Sequence, residues 1–155
     1  YKNTPNMDAF YSGFHGSRAP VCYNGDIFTI SDYETLCGDY PELDRVMLGR
    51  GIISNPGLLD RIAAGTNSDG SGTDKETLKR FHQMIYEGYR QIMSGDRNVL
   101  FKMKELWACM IQIFSDNGKY IKRIKKSQRL EEYETAAAAV FRDLDILEGA
   151  GFRTY

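Results

Sequence analysis

Two short glycine-containing segments have residue types that suit anion binding. The first is Asn24-Gly25-Asp26 and the second is Gly49-Arg50-Gly51. Glycines let backbone N–H groups approach an oxyanion, and the start of a following helix adds positive potential. A guanidinium can bind a phosphate through two hydrogen bonds, while Asn24 can donate to a ligand oxygen. The pattern predicts a phosphate site in which Asp26 has a structural role or contacts a hydroxyl. A tight turn with an exposed Arg50 fits the second segment equally well.

The elements that must position these segments resemble β-strands. Residues 19–23 and 45–48 are short apolar runs, and each leads into one of the two segments. Between the two runs, Ser31 and Glu34 have the spacing of a capping box, which predicts a helix there. After the second run, a further helix is predicted to start near Pro56. A strand–helix–strand unit pairs its strands in parallel. Phosphate commonly lies at the last two loops of a (β/α)₈ barrel, so the pattern indicates the closing units of such a barrel.

Length and charge limit what the chain can be. At 155 residues it is too short for a whole (β/α)₈ barrel, which needs about 250 residues. The net charge is −1, but residues 1–74 hold five basic and ten acidic side chains, whereas residues 75–155 hold fifteen and eleven. This asymmetry predicts a polyanionic partner for the second half.

The cysteines and the apolar runs indicate the compartment. Cys22, Cys37 and Cys109 have neither metal-ligand nor C-x-x-C spacing, so we expect three packing residues, no metal site and a reducing cytoplasmic setting. No apolar run in the sequence approaches the roughly 20 residues of a membrane span. The sequence therefore predicts no membrane partner.

The second half of the chain is helical in pattern. Residues 66–73 form a polar, glycine-rich linker between a first region, 1–65, and an all-α domain, 74–155. Thr73 and Glu76 have capping-box spacing, and further helices are expected over 98–114, 120–126 and 130–147. Apolar residues recur at helical spacing and are predicted to face a core. They are Leu78, Phe81, Ile85, Tyr89 and Ile92; Leu100, Phe101, Leu106, Trp107, Met110, Ile111 and Phe114; and Tyr133, Ala137, Val140, Phe141 and Leu144.

A dense run of cations lies within this helical region. Nine basic and only two acidic residues occur between positions 97 and 129. Such a density favours contact with a phosphate backbone, although a solvated helix face would have the same composition. The candidate RNA-binding residues are Lys102, Lys104, Lys119, Lys122, Arg123, Lys125, Lys126 and Arg129.

Three stretches together resemble the C-terminal half of a tRNA-dihydrouridine synthase. They are P-V-C-Y-N-G-D-I at 20–27, V-M-L-G-R-G-I-I-S-N-P-G-L-L at 46–59, and K-E-L-W at 104–107. The resemblance implies an FMN cofactor at the mouth of a barrel, NADPH as reductant, and reduction of uridine to dihydrouridine in tRNA. It also implies that Asn24, Gly25, Gly49 and Arg50, with their neighbours Asp26 and Gly51, form part of the FMN site, and that the helical tail binds tRNA.

Part of the family's pattern is missing from this sequence. The family's general acid is a cysteine in a G-C-P setting, and none of the three cysteines has proline after it. The simplest expectation is a fragment that is inactive alone: the last βα units of the barrel plus the helical domain. A half-barrel has exposed strand edges, so such a fragment is expected to self-associate. The alternatives are a stand-alone basic RNA-binding module without catalysis and another FMN barrel oxidoreductase.

Overall fold

The computed structural model describes residues 4–65 and 73–147, and these ranges are mostly helical. The predicted linker, except for Thr73, lies outside the described residues. The α-helices in chain order are α1 Met7–Gly16, α2 Ile30–Asp39, α3 Arg50–Ser54, α4 Leu58–Ala64, α5 Lys75–Ile92, α6 Asp96–Met110, α7 Gly118–Lys126 and α8 Leu130–Asp143; a 3₁₀ turn, Ile111–Ile113, follows α6.

The first region contains a parallel β-bridge where two strands were predicted. Tyr23 pairs with Val46: the Tyr23 N–H donates to the Arg45 carbonyl at 3.0 Å, and the Met47 N–H donates to the Tyr23 carbonyl at 2.8 Å. The predicted parallel direction is confirmed, but within residues 4–65 the pairing extends no further than this bridge. A bridge alone does not establish a barrel sheet.

Helix boundaries in this region differ from the predicted ones. The N-cap of α2 is Thr29, and its capping box is completed by Asp32, so the predicted Ser31–Glu34 box is wrong. Asp32 satisfies the N–H groups of both Phe28 and Thr29. The predicted helix start near Pro56 is confirmed, because α4 begins at Leu58 with Gly57 as its N-cap. A short helix that was not predicted, α3, begins at Arg50, so the second glycine segment is the start of a helix and not a loop.

Helix α1 has no counterpart among the predicted elements. Its N-cap, Asn6, accepts from the Ala9 N–H at 3.0 Å. Phe10 and Phe14 pack on a small core whose buried residues are Tyr23, Ile27, Leu36 and Tyr40. Helix α1 itself has no fully buried residue, which explains why its sequence lacks a clear apolar period.

Helices α5 to α8 enclose a second, larger core. Trp107, Met103, Tyr133 and Val140 are completely buried there. The predicted inward faces are confirmed for α8, where Tyr133, Ala137, Val140, Phe141 and Leu144 are all buried. Two predicted core residues are instead exposed, Ile92 at 78% and Phe101 at 58%.

The predicted N-cap of α5 and the predicted end of α8 also differ from the structure. Asp74, not Thr73, caps α5 by accepting from the Thr77 N–H at 2.8 Å. Helix α8 ends at Asp143, and Ile146 forms an antiparallel bridge with Phe114. The two regions touch each other, because α3 contacts α6 and Ile53 packs against the larger core.

Candidate functional site

The parallel bridge brings the two glycine segments side by side. Asn24-Gly25-Asp26 follows Tyr23, and Gly49-Arg50-Gly51 follows the bridge partner Val46 by three residues. Residues after paired parallel segments emerge at the same edge. The fold therefore brings together Asp26 and Arg50, which are 24 residues apart in sequence.

Arg50 and Asp26 form an ion pair across these segments. The Arg50 Nη2 contacts the Asp26 Oδ1, and the two side chains are 35% and 17% exposed. The guanidinium also lies over the Phe28 ring, 5.6 Å from its centroid. A guanidinium presents five N–H donors in a planar fork, a geometry that suits carboxylates and phosphates. Asp26 thus orients Arg50.

The glycines next to Arg50 differ in how much space surrounds them. A Cβ added to Gly51 would lie 2.2 Å from the backbone oxygen of Ile27, whereas one added to Gly49 would meet nothing within 4 Å. Gly51 is therefore required by close packing of α3 against the first segment. A Cβ on Gly25 would lie 2.1 Å from the Tyr23 hydroxyl oxygen, so Gly25 makes room for that ring.

A cavity of about 1300 Å³ opens beside this pair. All six predicted cofactor residues line it: Asn24, Gly25, Asp26, Gly49, Arg50 and Gly51. The structure thus brings the two predicted segments to one cavity.

Helix α6 supplies a part of the wall that sequence reasoning missed. Lys102, Glu105 and Cys109 all line the cavity, and the Lys102 ammonium lies 3.0 Å from the Glu105 carboxylate. The i, i+3 spacing of this ion pair was visible in the sequence, but nothing local indicates which element a helix faces. Lys102, predicted to bind RNA, therefore belongs to the cavity wall.

The cysteines are less buried than predicted. Cys22 is exposed, and Cys37 and Cys109 are half-buried. Burial raises the pKa of the Cys109 thiol, although the nearby Arg50 acts in the opposite direction. The prediction of three packing residues is wrong for Cys22, which lies on the cavity wall together with Cys109.

The predicted basic run forms an exposed surface on and after α7. We call it the α7 basic surface; its members are Lys119, Lys122, Arg123, Lys125, Lys126 and Arg129. Within residues 4–65 and 73–147 none of the six forms a salt bridge. The inward side of α7 is held in the core by Tyr120 and Ile124, so the cations are left on its outer side.

Lys104 has a different environment from the rest of the candidate RNA-binding residues. It is half-buried, and its ammonium donates to the carbonyl of Ser127, the residue that ends α7. This contact satisfies a carbonyl at the negative end of the helix. Lys104 therefore links α6 to the C-terminal end of α7.

The described residues offer neither a metal site nor a membrane-spanning helix. Among the described residues, no group of three or more His, Cys, Asp or Glu side chains could hold a metal ion. None of the described helices has the length and apolar character needed to cross a bilayer.

Comparison with known proteins identifies the family. The sequence model described as dihydrouridine synthase matches residues 14–149. A tRNA-dihydrouridine(16) synthase from Aquipseudomonas alcaligenes is 44% identical over 45 residues, which is 29% of this chain and 14% of that protein. The predicted family is confirmed, and the chain belongs to the dihydrouridine synthase family.

Proposed function

We propose that this chain is part of a flavin-dependent tRNA-dihydrouridine synthase, which reduces uridine to dihydrouridine in tRNA with FMN as cofactor and NAD(P)H as reductant. Family membership supports the reaction class. The observation that carries the tRNA assignment is the α7 basic surface, since its six exposed cations form no salt bridge among the described residues.

The cavity residues suit the polar part of FMN. Asn24 offers a carboxamide, Arg50 a guanidinium and Lys102 an ammonium to the cavity, and these donors match phosphate and ribityl oxygens. Asp26 holds Arg50 in place and Phe28 covers the guanidinium face. When bound, FMN would supply the hydride chemistry that reduction of a uracil ring requires. The protein's part is to bind and orient the cofactor beside the base.

In domain terms, we propose that residues 1–65 are the last βα units of an FMN-binding (β/α)₈ barrel and that residues 74–155 are a helical tRNA-binding domain. The two apolar cores support this division, because one is built from α1, α2 and the bridge segments and the other from α5–α8, with Ile53 of α3 packed against the latter. A cytoplasmic location accords with a tRNA substrate and belongs to the same proposal.

The 155 residues by themselves support a second function, RNA binding without catalysis. None of Cys22, Cys37 and Cys109 is followed by proline, so these residues include no cysteine in the family's acid setting. We expect the isolated chain to bind tRNA but not to reduce uridine.

Charge reversal on α7 tests the tRNA assignment. Lys122→Glu, Arg123→Glu and Lys126→Glu together should weaken tRNA binding more than tenfold, because phosphate contacts release counterions. We expect about three or four such contacts, and hence a log–log salt slope of about −3 to −4 for the unaltered chain. The variant should lose most of that slope. Filter retention across a salt series measures both quantities.

The matched control reverses three cations on α5. Lys79→Glu, Arg80→Glu and Arg90→Glu make the same change in net charge at exposed positions and should reduce the affinity far less. Glutamate and lysine have similar helix propensity, so circular dichroism should stay unchanged; a glutamine triple variant serves if the glutamates destabilise the end of α7. Equal affinity and slope in the α7 variant and the unaltered chain would leave the α7 basic surface as a solvated face only.

A further inference from the structure

Phe101 is a large aromatic side chain on the surface of α6. Its side chain is 58% exposed, although the apolar pattern predicted it to face the core. The guanidinium carbon of Arg97, one helical turn earlier, lies 5.6 Å from the centre of the Phe101 ring. An exposed aromatic ring paired with a guanidinium presents two flat groups that can stack on a planar ligand.

The position of Phe101 on α6 connects two features of the molecule. Lys104 and Glu105 follow it by three and four residues, so both lie on the adjoining turn of the same side of the helix. Lys104 contacts Ser127 at the end of α7, while Glu105 lines the cavity beside Arg50. Phe101 therefore lies one helical turn from Lys104, which contacts the end of α7, and one turn from Glu105, which lines the cavity.

The charge of this region indicates which ligand would cover the ring. Nine basic and two acidic residues occur between positions 97 and 129, and such an excess attracts a polyanion. Aromatic rings with flanking cations bind unpaired nucleotides, because an unpaired base exposes its face for stacking whereas a base within a duplex does not.

We infer that Phe101, with Arg97, is a stacking platform for an unpaired nucleotide of the bound RNA, on the path from the α7 basic surface to the cavity. This inference rests on the proposed tRNA binding and adds that the strand reaching the cavity is single-stranded at Phe101. The cations hold its phosphates and the ring holds one base.

The test compares two RNA probes of equal length: a stem-loop with an unpaired loop and a fully paired duplex. Phe101→Ala should raise the dissociation constant for the stem-loop by about 5- to 100-fold, the range that loss of one base–aromatic stack produces. Binding of the duplex should stay within about twofold, and the salt slope should not change, because no charge is removed. Met84→Ala, at another exposed apolar position (67%), is the matched control and should bind both probes as the unaltered chain does.

Phe101→Trp provides an independent readout. Trp107 is the chain's single tryptophan, and it is completely buried, so an added indole at position 101 reports its own surroundings. Its fluorescence should be quenched by the stem-loop and not by the duplex, with affinity retained.

The outcomes separate this inference from the proposed function. If the unaltered chain binds neither probe, the proposed tRNA binding fails and the stacking platform fails with it. If it binds both probes with the expected salt slope but Phe101→Ala binds the stem-loop equally well, the platform alone is overturned. An equal loss for stem-loop and duplex would also overturn it, because the ring would then contact a backbone or a second protein surface.

Discussion

Acid should destabilise this protein through one buried histidine. His82 of α5 is 6% exposed, and its Nε2 lies 2.5 Å from the Tyr133 hydroxyl oxygen. The Trp107 indole N–H donates to the same oxygen at 2.9 Å. Because an indole can only donate, the Tyr133 oxygen is the acceptor there and its own proton can go to His82. That arrangement requires neutral His82 with its proton on Nδ1.

The magnitude follows from the pKa of His82. Burial lowers this pKa from 6.5 to about 4, because the charged imidazolium has no solvent in the core. The unfolded chain therefore takes up the proton first as the pH falls. The contribution of neutral His82 to the unfolding free energy is complete above pH 6.5, falls between pH 6.5 and 4, and is lost below. The difference between the ordinary and the lowered pKa of His82 corresponds to about 3 kcal/mol of unfolding free energy.

Urea unfolding followed by circular dichroism between pH 8 and pH 4 measures this effect. His82→Gln removes the titrating group, so its unfolding free energy should fall with acid by about 3 kcal/mol less than that of the unaltered chain. Carboxylates such as Asp74 and Asp143, whose pKa values are lowered by hydrogen bonds, titrate in both proteins and cancel in the difference. His15 is exposed, so His15→Gln should keep the pH dependence. Parallel pH profiles for His82→Gln and the unaltered chain would refute the reasoning.

Two further predictions concern the cavity wall. Gly51→Ala should destabilise the fold by about 1–3 kcal/mol in urea unfolding, because its Cβ would meet the Ile27 backbone oxygen, whereas Gly49→Ala should cost much less. In the full flavin-bound enzyme, Arg50→Ala should weaken FMN binding by about 1.5–3 kcal/mol in a flavin titration. Asp26→Asn should weaken it as well, and the double variant should lose less than the sum because the two side chains contact each other; fully additive losses would contradict a shared role.

The helical half was largely predictable because apolar spacing determines which face of a helix is buried. The inward residues of α8 were all correct. The failures have local physical causes. Ile92 is the last residue of α5. Phe101 precedes the fully buried Met103 by two residues, which places it about 160° around the helix from that inward side chain.

The first region was harder to predict because its structure depends on contacts between distant residues. Helix α1 contributes partly buried rings to a shared core rather than a buried stripe of its own. The predicted strands were recognised by composition, but their pairing is limited to Tyr23 and Val46. The predicted N-caps of α2 and α5 were displaced by one or two residues from the observed ones, because several Ser, Thr and Asp side chains there can serve as N-caps.

The candidate site shows the same division between local and distant information. Residue types indicated an anion site at Gly49-Arg50-Gly51. Arg50, however, forms an ion pair with Asp26, 24 residues earlier. No local sequence pattern predicts that pair. Lys102 is likewise paired with Glu105 on the same cavity wall. Both cations therefore reach the cavity already oriented by a carboxylate, which reduces the net positive charge while fixing the direction of the N–H donors. A ligand here would be selected by the geometry of those donors more than by charge, whereas the α7 basic surface, with no salt bridges among the described residues, would attract a polyanion by charge.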